Sequence, residues 1–324
     1  MTGFPHTYAI GVPTGFRGLT VREGMIWSGP AGWAEWSPFR DYSGLELVPW
    51  LRAADEAAEI GWPDPVRFEV PVNSTVPAVG PEQAAALAGA GGCQTAKVKV
   101  AEPGGSLTAD LARVEAVRDA LGPAGRIRVD ANGAWTVEQA QVSLRALYRF
   151  GLEYAEQPCR TVEELAELRR WLARTGIDLP IAADESIRRV DDPYRVSALQ
   201  AADIAVLKVQ PLGGVRACLE IAERIGLPVV VSSALETSIG IRAGLALAAA
   251  LPELPYACGL NTSRLLADDL VAEPLTAVDG VIALTDLVVD PAALERTRAS
   301  SADQKFWQAR LVQTRMLADR PRHG

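Results

Sequence analysis

The feature that most constrains the fold is a repeat in which short apolar runs alternate with amphipathic helical stretches. Eight runs follow one another, at residues 68–72, 96–100, 127–129, 152–155, 180–183, 204–209, 228–231 and 256–259. Strands that are apolar on both faces and alternate with helices are typical of a parallel sheet. Eight of them favour a closed α/β barrel over an open sheet, and no G-x-G-x-x-G motif follows an early strand. A TIM-like barrel is the predicted fold.

The segments before and after this repeat have a different character. Residues 1–65 carry five of the eight tryptophans and one helical stretch, which indicates an α+β unit. The tail, residues 265–324, also leaves the repeat and is predicted to pack back against that unit. The predicted domains are therefore 1–65 and 265–324 as a cap, with 66–264 as the barrel. The Gly-rich segment 14–19 is expected to be either a mobile lid over the barrel mouth or a hairpin turn.

Composition excludes several kinds of site and partner. The two histidines lie near the chain ends, at His6 and His323, so a histidine base, a zinc site and a Ser-His-Asp triad are not expected. The net charge of −8 argues against nucleic acid and anionic membranes as partners. The four cysteines show no C-x-x-C spacing, which predicts buried thiols in a reducing cytoplasm. No signal peptide or membrane span is expected.

Lysine is rare in this chain, and its positions are informative. Of 32 basic residues only four are lysines, and three of them, Lys97, Lys99 and Lys208, lie in apolar runs. Arginine stays protonated, whereas a desolvated lysine can become a neutral base near pH 7. A chain that uses arginine almost everywhere else is therefore expected to keep these lysines for proton transfer.

Charged residues end five consecutive runs. Asp130, Glu156 and Asp184 follow Lys99 and precede Lys208, each separated from the next by one βα unit. Parallel strands bring such residues to one end of the barrel, where active sites form. Three carboxylates without His or Cys favour a hard divalent cation such as Mg²⁺. A structural layer of ion pairs is the alternative.

The two lysines at the ends of this series are four strands apart in a ring of eight. Lys99 and Lys208 are therefore expected on opposite walls, facing a carbon acid bound between them. Lys97 lies two residues before Lys99 on the same strand, so its side chain is expected on the same side, in support of Lys99.

These motifs resemble those of the enolase superfamily, in its muconate-lactonising-enzyme-like branch. The segments K-V-K, V-D-A-N, E-Q-P and A-D-E-S, followed by a lysine that ends the next strand, occur in the same order and spacing. The resemblance covers nearly the whole chain and implies a (β/α)₇β barrel with an α+β capping domain. It also implies that Asp130, Glu156 and Asp184 are metal ligands. By the same resemblance, Lys99 and Lys208 are the acid/base pair, and Asn132 is a supporting amide.

Within that branch the chain most resembles the o-succinylbenzoate synthase family of actinobacterial type. The compact length, the block R-G-L-T-V-R-E-G-M-I and the motif K-V-Q-P-L-G-G carry this resemblance. It implies a Mg²⁺-dependent enzyme, with Mn²⁺ able to substitute. The implied reaction is the syn dehydration of 2-succinyl-6-hydroxy-2,4-cyclohexadiene-1-carboxylate to 2-succinylbenzoate in menaquinone biosynthesis, through a metal-stabilised enediolate. The alternatives are an N-acylamino-acid racemase or dipeptide epimerase of the same superfamily, and a non-catalytic barrel with a structural cation.

Substrate contacts are expected in the loops after the last two strands. Ser232, Ser233, Gly259 and Asn261 offer hydroxyl, amide and backbone N–H groups to a small carboxylate substrate, and helix capping is the alternative for each. Arg128, two residues before Asp130, faces inward and is expected either near the anionic substrate or in a structural ion pair with the ring of strand-end acids.

Overall fold

The computed structural model describes residues 5–16, 18–187 and 192–319. The chain begins with an antiparallel sheet of three strands, β1 (His6–Phe16), β2 (Leu19–Gly29) and β3 (Gly32–Trp36), in that order. Helix α1 (Leu47–Asp55) follows and continues through a π-helical turn, Glu56–Ile60. These elements form the cap.

In the central part of the chain, the described residues form eight further strands and eight helices. The strands are β4 (Glu69–Pro71), β5 (Ser74–Val76), β6 (Thr95–Lys99), β7 (Arg126–Asp130), β8 (Leu152–Glu156), β9 (Ile181–Ala183), β10 (Ile204–Lys208) and β11 (Val229–Ser232). The helices are α2 (Pro81–Ala88), α3 (Leu107–Leu121), α4 (Val137–Leu147), α5 (Val162–Thr175), α6 (Asp192–Ala198), α7 (Val209–Leu212), α8 (Val215–Ile225) and α9 (Ser238–Ala250). The tail adds β12 (Val281–Ala283), α10 (Pro291–Arg296) and α11 (Ser301–Ala318).

Strands β5 to β11 form a seven-stranded parallel sheet in sequence order. Two residues close it into a ring: Gly259 bridges to Ser232 at the end of β11, and Cys258 bridges to Val72 just before β5. The eighth barrel position is thus occupied by a very short segment. The predicted (β/α)₇β barrel with an α+β cap is confirmed.

The first barrel strand differs from the prediction. Within the apolar run 68–72, strand β4 pairs antiparallel with β12 of the tail, and the barrel begins after it, at Val72 and β5. Pro71 has no N–H to donate to a parallel ladder, and Phe68 is 70% exposed, which suits a peripheral strand. The apolar run 68–72 therefore contains β4, which pairs with the tail, and Val72, which belongs to the barrel.

The C-terminal helix packs against the cap. Trp307 of α11 meets Trp36 of β3 edge to face, with 5.5 Å between ring centroids, inside a cluster that also holds Trp27 and Trp50. The predicted boundaries at residues 65 and 264 stay a prediction. In segment 14–19, Phe16 and Leu19 pair as the end of the β1–β2 hairpin, while Arg17 lies outside the described residues. A lid role for that segment also stays a prediction.

Among the described helices, none combines the length and apolar character that crossing a bilayer requires.

Candidate active site

The parallel register brings the charged strand ends together. Lys99 pairs with Asp130, and Asp130 pairs with Glu156, on the neighbouring strands β6, β7 and β8. Asp184 directly follows β9, and Lys208 ends β10. All five residues are at most 6% exposed. The predicted convergence of these charges at one end of the barrel is therefore present.

The buried charges neutralise one another in ion pairs. Lys99 Nζ donates to Asp130 Oδ2 at 2.5 Å, and Lys97 Nζ donates to Glu156 Oε1 at 2.7 Å and lies 3.4 Å from Asp130 Oδ2. On the next strands, Lys208 Nζ donates to Asp184 Oδ2 at 2.6 Å. Each carboxylate thus has an ammonium partner, which offsets the cost of burying its charge.

Burial and neighbouring charge shift the pKa values of this cluster in different directions. Burial alone would raise the pKa of Asp130, but the charges of Lys99 and Lys97 hold it well below its usual range. Burial would lower the pKa of Lys97, yet the charges of Glu156 and Asp130 raise it overall. Burial raises the pKa of Glu156 to about 7, opposed by Lys97 and reinforced by Asp130. Glu156 therefore carries a less stabilised negative charge than Asp130.

Asn132 links the first carboxylate to its surroundings. Its Oδ1 accepts from Lys99 Nζ at 2.7 Å, and its backbone N–H donates to Asp130 Oδ1 at 3.0 Å. Its Nδ2 donates to Glu185 Oε1 at 3.1 Å. Asn132 has a φ of +47°, a conformation that asparagine tolerates better than most residues. Glu185 is thus held by an amide, whereas Asp184 accepts from a lysine.

Gln157 is a site residue that the sequence reasoning missed. It follows Glu156 in the E-Q-P motif, has a φ of +38° and is fully buried. Its Oε1 accepts from the backbone N–H of Asp184 at 2.9 Å and of Ser186 at 3.2 Å. It therefore fixes the turn that carries Asp184. A buried amide directly after a strand-end carboxylate was the signal that could have identified it.

A small cavity lies over the strand ends. Ser232, Ser233 and Gly259, predicted as substrate contacts, line it. Ser233 Oγ lies 2.6 Å from Thr262 Oγ1. Several lining residues were missed, since only tertiary structure brings them here. The full lining is Phe39, Thr75, Lys97, Lys99, Asp130, Asn132, Lys208, Ser232, Ser233, Ala234, Leu235, Gly259 and Thr262.

Arg128 and Asn261 lie outside this lining. Arg128 is fully buried, ion-paired with Glu153, and its Nη1 donates to Asn73 Oδ1 at 3.1 Å. Arg128 is thus in a structural ion pair, as the alternative expected, but its partner is Glu153 and not one of the strand-end acids. Asn261 Oδ1 accepts from the backbone N–H of Ala277 at 2.9 Å and so holds the tail segment. Substrate contact by either residue has no support in this geometry.

The carboxylates fit a divalent cation by their chemistry and position. Within the described parts of the chain, no three His, Cys, Asp or Glu side chains form a ready-made metal cluster. Three carboxylates nevertheless lie at or directly after the ends of consecutive strands, and among the residues that the structure describes Glu156 Oε2 is buried without a hydrogen-bond partner. Carboxylate oxygens of this kind are the ligands that a hard divalent cation prefers.

Comparison with known proteins agrees with this geometry. Residues 81–288 match the family described as enolase C-terminal domain-like, and residues 7–58 match enolase N-terminal domain-like. The o-succinylbenzoate synthase of Thermobifida fusca is 59% identical over 97% of this chain and 96% of that protein. This chain belongs to the o-succinylbenzoate synthase family of the enolase superfamily.

A second relative supports that membership, and a solved structure shares the fold. The o-succinylbenzoate synthase of Mycolicibacterium smegmatis is 53% identical over 93% of this chain and 92% of that protein. A solved muconate lactonizing enzyme from Pseudomonas fluorescens has the same fold, with a TM-score of 0.75 and 22% identity over 91% of this chain and 98% of that one. The enolase-superfamily resemblance predicted from the strand-end motifs is confirmed.

Proposed function

We propose that this protein is an o-succinylbenzoate synthase, a lyase that dehydrates 2-succinyl-6-hydroxy-2,4-cyclohexadiene-1-carboxylate to 2-succinylbenzoate. The observation that carries this proposal is the 59% identity to a synthase over nearly the full length of both chains. The buried lysines and carboxylates at the barrel mouth supply the groups that abstraction of a proton next to a carboxylate requires. The substrate is a small carboxylate molecule.

The enzyme depends on a divalent metal ion, as its family does, and we assign Mg²⁺ as that ion, with Mn²⁺ able to substitute. Asp130, Glu156 and Asp184 would hold it, since they offer hard oxygen ligands on consecutive strands. When bound, the cation stabilises the negative charge that develops on the substrate carboxylate. Asn132 supports the first ligand through the contact of its backbone N–H with Asp130.

Lys99 performs both proton transfers in this proposal. As a neutral amine it removes the proton on the carbon next to the substrate carboxylate. As the resulting ammonium it returns that proton to the departing hydroxyl, which leaves as water from the same face. Lys97 supports this arrangement by holding Glu156 and by its charge near Asp130.

Lys208 has a different part. It ends β10, four strands from β6 in the ring, and so stands on the opposite wall of the cavity. From there its ammonium stabilises the anion electrostatically without reaching the leaving hydroxyl. Ser232, Ser233 and Gly259 line the remaining wall, where their polar groups are available to the succinyl carboxylate.

A substrate panel tests this function. Purified protein with Mg²⁺ is incubated with the cyclohexadiene substrate, with N-acyl amino acids and with dipeptides. Formation of 2-succinylbenzoate, much faster than any racemisation, is expected. Racemisation or epimerisation without dehydration would replace the proposal by the superfamily alternative, and inertness toward the whole panel would favour a barrel with a structural cation.

The location of the protein is a separate proposal. We place it in the cytoplasm because its four cysteines are all buried free thiols, as suits a reducing compartment.

A further inference from the structure

Arg22 of the cap is buried, and several backbone oxygens surround its guanidinium group. It lies on β2 with 2% exposure. Its Nε donates to the carbonyl of Leu235 at 2.9 Å, and its Nη2 lies 3.3 Å from the carbonyl of Ala234. The same Nη2 donates to Ser37 Oγ at 2.8 Å and to the carbonyl of Ser37. One guanidinium therefore joins two cap strands to the loop after β11.

The loop held by Arg22 forms part of the cavity. Ala234 and Leu235 both line it, next to Ser233. Leu235 has a φ of +61°, a left-handed conformation that costs free energy for a residue with a branched side chain. Such a conformation persists only where surrounding contacts hold it, and the bond from Arg22 to the Leu235 carbonyl is one of them.

Arg22 also contacts a third lining residue directly. Its guanidinium carbon lies 4.7 Å from the ring centroid of Phe39, which enters the cavity from the cap. A cation stacked on an aromatic ring fixes the ring's position. Phe39, Ala234 and Leu235 therefore share one support, although they come from different parts of the chain.

The far side of the loop is held by buried carboxylates. Glu236 Oε2 accepts from the backbone N–H of Ala234 at 2.6 Å. Glu35 of β3 accepts from the hydroxyl of Thr237 at 2.5 Å and from the backbone N–H of Gly240 at 3.0 Å. Arg22 is the cation that lowers the cost of both buried carboxylates. The loop is thus clamped between groups of opposite charge.

We propose that Arg22 is a positioning residue for substrate binding. It fixes Phe39 and the loop at Ala234 and Leu235. It thereby sets the shape of the cavity wall opposite the two lysines of β6, Lys97 and Lys99. This inference rests on the proposed function for its substrate. The carboxylates and lysines are carried by other strands, so loosening this wall affects substrate binding more than proton transfer.

The test compares Arg22→Lys with Arg118→Lys. Arg118 also grips backbone carbonyls, those of Gly122, Gly125 and Phe150, but at the opposite end of the barrel. Lysine keeps the charge and loses the ability to bridge several oxygens. For Arg22→Lys we expect KM to rise about tenfold, the size expected for a lost charged hydrogen bond, with kcat within about threefold. Arg118→Lys should leave KM unchanged.

Amide hydrogen exchange gives a readout that does not depend on substrate. Peptides covering residues 232–240 should exchange about tenfold faster in Arg22→Lys, and not in Arg118→Lys. If wild-type protein does not dehydrate the substrate, the proposed function fails while this measurement still decides whether Arg22 holds the loop.

Three results would overturn the proposal. They are unchanged exchange in residues 232–240, faster exchange with an unchanged KM, and a fall in kcat alone that tracks a lower Tm. Should Arg22→Lys fail to fold, Ser37→Ala removes one partner of the guanidinium and keeps Arg22 itself. A rise in KM and in loop exchange is expected there too, and the absence of both would contradict the proposal.

Discussion

At the scale of single residues, the lysines are the most informative feature of this molecule. Three of the four are at most 6% exposed and lie in one ion-paired cluster, whereas Lys305 is exposed on α11. Sequence alone predicts this because an inward-facing lysine on a barrel strand needs a carboxylate nearby. The partners, Asp130, Glu156 and Asp184, were also the predicted strand-end acids.

Replacement of Lys99 by arginine tests its role as an adjustable base. Lys99→Arg should lose turnover as completely as Lys99→Ala and stay folded, because the charge is kept while the deprotonated amine is not available. Steady-state turnover and thermal unfolding measure this. Lys305→Arg is the matched control and should be fully active. Near-normal turnover by Lys99→Arg would show that this lysine acts only through its charge.

Two neighbouring acids, Asp184 and Glu185, follow β9, and mutation of each one tests which of them is the proposed metal ligand. Asp184→Asn should weaken Mn²⁺ binding, measured by calorimetry, at least tenfold more than Glu185→Gln, since Glu185 is held by the amide of Asn132. Chelation with EDTA should abolish turnover, and added Mg²⁺ should restore it. A larger loss of metal affinity in Glu185→Gln would contradict the ligand assignment.

Glu236 gives a prediction about pH. Burial, reinforced by the charge of Glu35, raises its pKa from 4.5 to about 7. The folded protein therefore favours the protonated form, and stability is lost as pH rises from about 4.5 through 7. Glu236→Gln removes this ionisation. The difference in free energy of unfolding between the variant and wild type should therefore shift in favour of the variant by about 3 kcal/mol between pH 4.5 and pH 8. Urea unfolding at both pH values measures the gain, and a pH-independent difference would refute it.

Arg128 shows where residue-level prediction stops. Strand alternation places it correctly inside the barrel, but its partners Glu153 and Asn73 come from β8 and from the residue before β5. The sequence shows that a buried guanidinium needs partners, and only the tertiary structure selects them.

At the scale of elements, a side chain of the capping domain stabilises the start of a barrel helix. Helix α8 starts at Val215, and its N-cap residue, Gly214, has no side chain to accept hydrogen bonds from the first turn. Glu56 of the capping domain accepts them instead. Its Oε2 accepts from the backbone N–H of Val215 at 2.5 Å, and its Oε1 accepts from that of Arg216 at 3.2 Å. Gly214 has a φ of +121°, and a Cβ there would lie 2.2 Å from Glu56 Oε2.

The contribution of Glu56 to stability should be measurable by mutation. Glu56→Ala should lower the free energy of unfolding by about 1–2 kcal/mol, the usual range for a lost N-cap. Gly214→Ala should cost more alone, because of its backbone strain and its clash with Glu56. The double variant should be less destabilised than the sum, since the clash disappears. Thr161→Ala, which removes an ordinary cap within α5, is the control, and strict additivity of the two site variants would contradict the account.

Strand assignment shows the same division between local and tertiary information. The apolar repeat predicts the barrel strands from β6 to β11 because each one is followed by a helix. It fails at residues 68–72, where the antiparallel partner, β12, lies more than 200 residues further along the chain. No local pattern reports such a pairing.

At the scale of the whole molecule, the site is built from two units. The barrel supplies the charges at the strand ends, and their spacing along the chain is enough to predict them. The cap supplies Phe39 and the support from Arg22 and Glu35, which the sequence did not reveal. Their side chains meet the barrel through contacts that span about 200 residues, so no sequence spacing marks them.

We propose that Lys99 alone carries both proton transfers, with Lys208 on the opposite face as an electrostatic partner. Solvent deuterium exchange into a substrate analogue that lacks the 6-hydroxyl tests it most directly. With Mg²⁺ present, wild-type protein should exchange the proton next to the carboxylate, Lys99→Arg should show no exchange, and Lys208→Arg should retain weak exchange. Exchange on both faces, each lost with its own lysine, would show a racemase-type site and contradict this account.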